Sequence, residues 1–488
     1  MEDALRQRAV LVRNAFLVAL ALVHLVAFVS LASQLDWLIG SRGLLPADAL
    51  LGRLRGQVHF WELPTIFWLS GSDAWLRLSA VVGAALALGL LLGVYPRALL
   101  LVLWLLYLSF VSVGQTFFAF QWDNLLLETT LLACTVAPWS RRGLSTTPHP
   151  AGVFLMRWLL VRLHVESGLA KLLSGDPSWR DLTALVTYYE TAPLPTSLAW
   201  FAHQLPVPLH RFAAFTVLVV EILLPWGVWG PRRIRRWSVA SLAILQVFIL
   251  ATANYGFFNY LTLALCLWGL DDEDLRRLRW CLGGSSSLPA GQRMGKLSSR
   301  WLRFVAWLGA IVWALVAVIP FFPFMPPLRN ALPSLREWLA PWRAMNAYHL
   351  FASMTYVRYE AVIEGSDDGQ RWQEYEFRYK PGDVRRAPPL VAPHQPRVDF
   401  QLWFLLLRGR APRDQYFYNL LVRLLKDPEV VAGLFANDPF SGRAPRAVRV
   451  AVYRYRFTDW SMGWSTGAWW QRERVATFGP LDGERLAR

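Results

Sequence analysis

Along its first 320 residues the chain alternates long apolar runs with short polar breaks. A helix that crosses a bilayer needs about 20 mostly apolar residues. Between Arg13 and Asp36 the one residue able to carry charge is His24, and the stretches Arg77 to Arg97 and Arg97 to Asp123 hold none between their end residues. A fourth run, Leu125 to Trp139, contains Glu128. A fifth, Val153 to Leu173, is interrupted by Arg157, Arg162, His164, Glu166 and Lys171. A sixth, Phe212 to Gly230, encloses Glu221. The 34 uncharged residues between Arg236 and Asp271 would stretch about 51 Å as one helix, too long for a single span. Asn254-Tyr255-Gly256, with Asn259 close by, divides them into two. Arg303 to Ile319, closed by Pro320, is the last. The pattern predicts a multi-pass α-helical membrane bundle of about nine spans over residues 1–323.

Beyond it the pattern changes. Phe321-Phe-Pro-Phe-Met-Pro-Pro327 reads as a stiff exit, and 324–340 as a linker. Residues 357–364 alternate, Ser366-Asp367-Asp368-Gly369 forms a turn, and 372–380 reads as a second strand. Residues 414–426 and 428–436 read as helical, and 446–457 and 468–478 as paired strands. A soluble β-rich or α+β C-terminal domain is therefore expected over 341–488.

Charge fixes the orientation. Nine spans place Arg6, Arg8 and Arg13, then Arg97, then Arg141 and Arg142, then Arg232, Arg233, Arg235 and Arg236 on one side. Arg276, Arg277, Arg279, Arg293, Lys296, Arg300 and Arg303 join them. Positive loops stay in the cytosol, so the C-terminal domain is expected on the opposite side. The net charge of +16 is carried largely by these loops, which argues against nucleic acid as a partner. Membrane lipids are the expected surroundings. Hydrophobic residues make up 55% and charged residues 17%, against about 25% charged in soluble domains. The first run is too long, and lacks the cleavage pattern, for a removable signal peptide.

Ionisable residues inside a membrane are costly and point to function. Arg157, His164 and Lys171 recur every seven residues and form one stripe on a helix. Arg162 and Glu166 are spaced to pair. Glu221, Asp123, Glu128, Asn254 and Asn259 are candidate partners, and together these residues are expected to line a polar cavity. Lys171 is the only lysine before residue 296, in a chain with 46 arginines and 4 lysines. A buried lysine can shed its proton, which arginine cannot, so Lys171 is the candidate base, with His164, Glu166 and Glu221 to tune it. The structural alternative has Lys171 snorkel at the outer end of its helix or pair with Asp176 or Glu221. The loop that follows carries Asp176, Trp179, Glu190, His203 and Gln204, either an aromatic segment at the outer interface or a substrate mouth. The histidines do not cluster and no metal-binding motif occurs. No metal site and no cofactor are expected. Glu364-Gly-Ser-Asp-Asp-Gly369 lacks the closing glutamate of a calcium loop and reads as a hairpin turn.

Several long motifs in one order resemble the lipase maturation factor family. They are Phe120-Gln-Trp-Asp-Asn-Leu-Leu-Leu-Glu128, Ser167-Gly-Leu-Ala-Lys-Leu-Leu-Ser-Gly-Asp-Pro-Ser-Trp179, Tyr188-Tyr-Glu-Thr-Ala-Pro-Leu-Pro195, Ala202-His-Gln-Leu-Pro206 and Asn254-Tyr-Gly-Phe-Phe-Asn259. In the second part, Tyr375-Glu-Phe-Arg-Tyr-Lys-Pro-Gly-Asp383, Pro393-His-Gln-Pro-Arg397, Tyr453-Arg-Tyr-Arg-Phe457 and Trp469-Trp470 fit the same family. The resemblance runs from about residue 10 to 480. It implies a multi-pass membrane protein that assists the maturation of secreted lipases, with its soluble part in the lumen of the endoplasmic reticulum in animals. The arginine-rich composition fits a bacterium with GC-rich DNA, hence an inner-membrane protein with a periplasmic domain. The implied partner is a secreted lipase or another exported client, met through the apolar stretches 399–407 and 460–470. No catalytic residue comes with the resemblance. More faintly, Gly168-Leu-Ala-Lys-Leu172 followed by Trp179 resembles the segment of vitamin K-dependent gamma-carboxylase that holds its catalytic lysine, at the position of Lys171. That alternative implies an embedded enzyme with Lys171 as base on a lipid- or quinone-like substrate. No propeptide-binding region is recognisable, so carboxylation itself is not implied. A transporter is disfavoured because the chain lacks paired broken spans in two matching halves.

Overall fold

The computed structural model describes residues 9–281, 300–407 and 414–482. Each apolar run is helical, as it must be where hydrocarbon offers no partner to backbone N–H and C=O groups. The helices are α1 (Val10–Ala32), α2 (Asp73–Leu91), α3 (Pro96–Val113), α4 (Gln121–Val136) and α5 (Pro150–Leu173). Two short outer helices, α6 (Ala184–Thr191) and α7 (Ser197–His203), come before α8 (Val207–Ile222), α9 (Arg232–Thr252), α10 (Phe258–Cys266), α11 (Asp272–Cys281) and α12 (Arg300–Val316). Among the described residues five are long and apolar enough to cross a membrane, namely α1, α2, α3, α9 and α12 with its continuation to Phe324. A sixth is added if α7 and α8, bent by 114°, count as one. The protein is thus a multi-pass membrane protein. The expected α4, α5 and α10 are present as helices but fall short of that standard, α5 because of its charges and the others because of length.

The basic loops meet at one end. The Asp272 carboxylate accepts the N–H groups of Val10, Leu11 and Val12 at 3.0, 2.9 and 3.1 Å. It thereby satisfies the free donors that open α1. Arg13 donates to the Thr146 carbonyl at 2.8 Å, Arg97 to that of Ala137 at 2.8 Å, and Arg235 pairs with Asp271 at 2.8 Å. The predicted loop residues Arg6, Arg8, Arg293 and Lys296 lie outside the described residues.

The C-terminal part holds one antiparallel sheet of five strands, ordered β3-β2-β1-β4-β5. These are β1 (Arg358–Ser366), β2 (Gln373–Phe377), β3 (Phe435–Asn437), β4 (Ala447–Phe457) and β5 (Trp470–Asp482). β1 and β4 pair in unbroken register from Arg358 opposite Tyr455 to Ser366 opposite Ala447. The acidic Ser366–Gly369 segment is a hairpin turn. Asp368 accepts the N–H groups of Gln370 and Arg371 at 2.8 and 2.7 Å, and Gly369 has φ +74°. Three further helices are α13 (Arg397–Phe404), α14 (Gln415–Lys426) and α15 (Trp460–Thr466). α14 turns Tyr416, Phe417, Leu420 and Leu424 inward, one face of a 3.6-residue repeat.

Two expectations are corrected. Residues 428–436 are not one helix. Pro428 and Gly433 break the pattern into two 3-10 turns, and Phe435 opens β3. The stretch 399–407 is not a broad client surface. It falls largely in α13, where Asp399, Phe400, Leu402 and Leu405 are buried.

Candidate functional site

The polar residues of the bundle separate into two networks and a cavity. The first network lies between α4 and α5. Arg162 hydrogen-bonds Glu128 and donates to the Ala317 carbonyl at 2.9 Å. It also faces Glu166 at 3.2 Å, an ion pair without hydrogen-bond alignment. Residues just before the sheet complete the network. Glu128 accepts the Tyr348 hydroxyl at 2.9 Å and the Asn346 N–H at 3.1 Å, and Glu166 accepts the Tyr348 N–H at 2.9 Å. All five side chains are buried, so two carboxylates share one guanidinium plus neutral donors.

The second network centres on Asp123. Arg397, at the start of α13, donates to both of its oxygens, at 2.9 and 2.8 Å. The same guanidinium donates to the Phe117 carbonyl at 2.6 Å and lies 3.6 Å from the centre of the Phe118 ring. The fork matches a carboxylate in geometry as well as charge. Around it, the Arg397 N–H donates to Gln34 at 2.9 Å, and Gln34 donates to the Gln395 carbonyl at 2.8 Å. Ser30 contacts the His394 Nδ1 at 2.9 Å. Asn254 accepts the N–H groups of Val391 and Ala392 at 2.7 and 2.9 Å and donates to the carbonyls of Leu194 and Pro389. Asn254 therefore clamps backbone and does not line a cavity.

The outer loop joins the same interface. Asp176 accepts the N–H groups of Ser178 at 2.8 Å and Met354 at 2.7 Å, and the Tyr356 hydroxyl at 2.8 Å. Partial burial works against its ionised form, but these donors outweigh it and hold the carboxyl below its ordinary value. Glu190 accepts the Phe457 N–H at 2.7 Å, with His203 at 3.8 Å. Gln204 donates to the Thr458 carbonyl at 2.9 Å, and Trp179 to that of Phe351 at 2.9 Å.

The cavity encloses about 560 Å³ between α5, α8, α9 and the start of α10. His164, Ser167, Lys171, Glu221, Gln246 and Asn259 supply its polar wall, and Trp179, Tyr188, Tyr255 and Phe351 close it from outside. Lys171 pairs with Glu221 at 2.7 Å and donates to the Ser167 carbonyl at 3.3 Å. Of the two expected partners it takes Glu221, while Asp176 turns outward. Gly168 allows the approach. A β-carbon there would meet Ile222 at 2.5 Å and the Glu221 Cβ at 3.0 Å. Deeper in, the His164 Nδ1 lies 2.9 Å from the Leu160 carbonyl, so Nδ1 carries the proton and Nε2 accepts from Gln246 at 3.3 Å. Gln246 in turn accepts from Asn259 at 2.8 Å. The expected stripe on α5 therefore divides. His164 and Lys171 reach the cavity, whereas Arg157 donates to the Trp268 carbonyl at 2.8 Å elsewhere. The single cavity expected for all these residues is corrected too: Asp123, Glu128, Arg162 and Glu166 belong to the two networks. Gln246, Tyr348, Asn346 and Arg397 are the functional candidates that sequence reasoning missed. Gln246 had a signal, as a lone amide in an apolar run. The others sit in polar segments where nothing marks a partner.

Two family models match the chain. The lipase maturation factor transmembrane domain matches residues 11–277, and the lipase maturation factor C-terminal domain matches residues 344–480. Lipase maturation factor 2 of Rattus norvegicus is 36% identical over 580 residues, covering 95% of this chain and 82% of that protein. The Homo sapiens protein of that name is 36% identical, covering 96% and 82%. Lipase maturation factor 1 of Bos taurus is 32% identical, covering 96% and 88%. No solved structure matches. Nothing in these matches supports the carboxylase-like reading of Lys171.

Proposed function

Because this chain belongs to the lipase maturation factor family, we propose that it assists the folding and maturation of secreted, lipase-like clients from the membrane. The observation that carries the reading is the pairing of both family domains, locked together by Arg397 and Asp123 at the end of the bundle away from the basic loops. Positive loops mark the cytosolic side. The sheet domain then faces the periplasm, or the lumen in a eukaryote, where exported clients fold. An odd number of crossings, nine in this reading, is what such an arrangement requires. Of the two stretches expected to meet a client, the second stays open. Trp460, Met462 and Trp464 of α15 are exposed, Trp464 at 78%. Exposed apolar patches of this kind mark interaction surfaces.

The test is complementation in cells lacking the gene, with secreted lipase activity and membrane levels of the protein both measured. Trp464→Asp at normal protein level is expected to lose most of the secreted activity. Lys171→Arg, which keeps the Glu221 pair, is expected to retain it. The opposite pattern, Trp464→Asp active and Lys171→Arg inactive, overturns the maturation reading in favour of chemistry at Lys171.

A further inference from the structure

A client surface on α15 leaves the cavity beside Lys171 without an assigned role. Its walls are mostly hydrocarbon, and its charged pair, Lys171 and Glu221, sits between α5 and α8. At its mouth stand Phe212 of α8 and Phe248 of α9, exposed at 67% and 66%, together with Ile244. These residues lie on membrane-facing surfaces of their helices, so the opening faces the bilayer rather than water. A volume of about 560 Å³ is within the range of ligand pockets, roughly 300–1,000 Å³. Water fills a cavity only where each molecule finds two to four polar partners, and the apolar wall provides none. Hydrocarbon fits that wall. The polar end is also specific. Lys171 has three N–H donors and, among the described residues, uses two, on Glu221 and on the Ser167 carbonyl. The Tyr188 and Tyr255 hydroxyls, 2.9 Å apart, share one bond and leave one hydrogen to give. Both groups donate, so they fit an oxygen acceptor at the head of an apolar tail.

We propose that the cavity binds a long-chain acyl amphiphile, which enters sideways between α8 and α9. Its carbonyl or carboxylate oxygen meets Lys171 and the Tyr188–Tyr255 pair, and its chain leaves past Phe212 and Phe248. Two sources share this chemistry, a bilayer phospholipid and a free fatty acid. The inference does not rest on the client reading, since it concerns the bundle's own lining.

The experiment uses the full-length protein in phospholipid nanodiscs. One arm carries a photoactivatable fatty acid, the other a phosphatidylcholine with the same photoactivatable chain. After irradiation, labelled peptides are mapped. In wild type, labelling is expected within α8 and α9 at the cavity wall, and the arm that labels identifies the source. Ala213→Trp, which fills the wall, should lower this labelling about tenfold, whereas Val102→Trp on the lipid-facing side of α3 should not change it. Losing one charge-assisted hydrogen bond in Lys171→Ala should lower retention of the labelling probe roughly tenfold. Trypsin resistance of each variant reports assembly, and Ile249→Trp from the facing wall repeats the plug if Ala213→Trp fails to assemble. Labelling that is equal in wild type and in an assembled plug variant, or absent from the cavity wall in both arms, overturns the proposal.

Discussion

Arg397→Ala tests whether the sheet domain and the bundle are held by a buried ion pair. In the native protein the guanidinium gives both Asp123 oxygens a donor and also satisfies the Phe117 carbonyl. After truncation, among the described residues, Asp123 keeps only the Tyr107 hydroxyl, which donates to it at 2.5 Å. Both charges are fully buried, so water cannot replace the lost donors. Removing one partner of such a pair costs about 3–5 kcal/mol. At about 1.36 kcal/mol per decade, that is a factor of roughly 10² to 10⁴ in the docking equilibrium. The assay is thermal unfolding of purified protein in mild detergent, with trypsin cleavage between bundle and sheet domain as a second readout. The single variant should unfold at clearly lower temperature and be cut faster. The double variant Asp123→Leu, Arg397→Met replaces the pair by apolar groups of similar size and should recover most of the loss. Arg397→Lys should recover little, because an ammonium cannot make the two-pronged bond. If Arg397→Ala matches wild type, or the double variant is no better than the single, the buried pair does not hold the interface.

Two further outcomes follow from close contacts. Gly168→Ala puts a methyl group against Ile222 and Glu221; overpacking of this kind costs about 1–3 kcal/mol, so thermal stability should fall, and Gly168→Val should fall further. Acid should loosen the interface as well. Burial, with Arg397 nearby, holds His394 below its ordinary value, and burial lowers His349 also. The unfolded chain then takes up protons, as pH falls through the ordinary histidine range near 6.5, that the folded chain refuses. Stability is full above that range and is lost below it. His394→Gln should reduce the acid sensitivity seen in unfolding measured from pH 7.5 to 5.5, and unchanged sensitivity would show that His394 takes no part in it.

The apolar runs were legible because a bilayer sets both their length and their backbone state. The gathering of the basic loops at one end of the bundle was legible from the parity of the apolar runs. The β1–β2 hairpin showed through its alternation and its Ser366–Gly369 turn. Partners were a different matter. Asp123 meets Arg397 across 274 residues of sequence, and Glu128 meets Tyr348 across 220. No local pattern records such a meeting. The heptad spacing of Arg157, His164 and Lys171 correctly placed them on one side of α5. It left open what each would meet, because each lies at a different height and faces a different helix there. α13 was missed for a similar reason. Its residues are buried on several sides, so no amphipathic stripe announced it.

The same long-range pairing changes how the two family domains relate. Asp123, Glu128 and Glu166 belong to the bundle, yet their donors Arg397, Asn346 and Tyr348 come from beyond residue 340. Cutting the chain after Pro323 would remove a domain and also leave three buried carboxylates short of donors, each a costly defect in a low-dielectric interior. A truncated protein that fails to mature a client has therefore lost the integrity of its bundle as well as a client surface. A substitution on α15 separates the two, because Trp464 is exposed, while Trp460 is the α15 ring that packs against Trp200 of α7. If Trp464→Asp leaves thermal unfolding unchanged while secreted lipase activity falls, the surface meets the client and the buried network serves only to hold it in place.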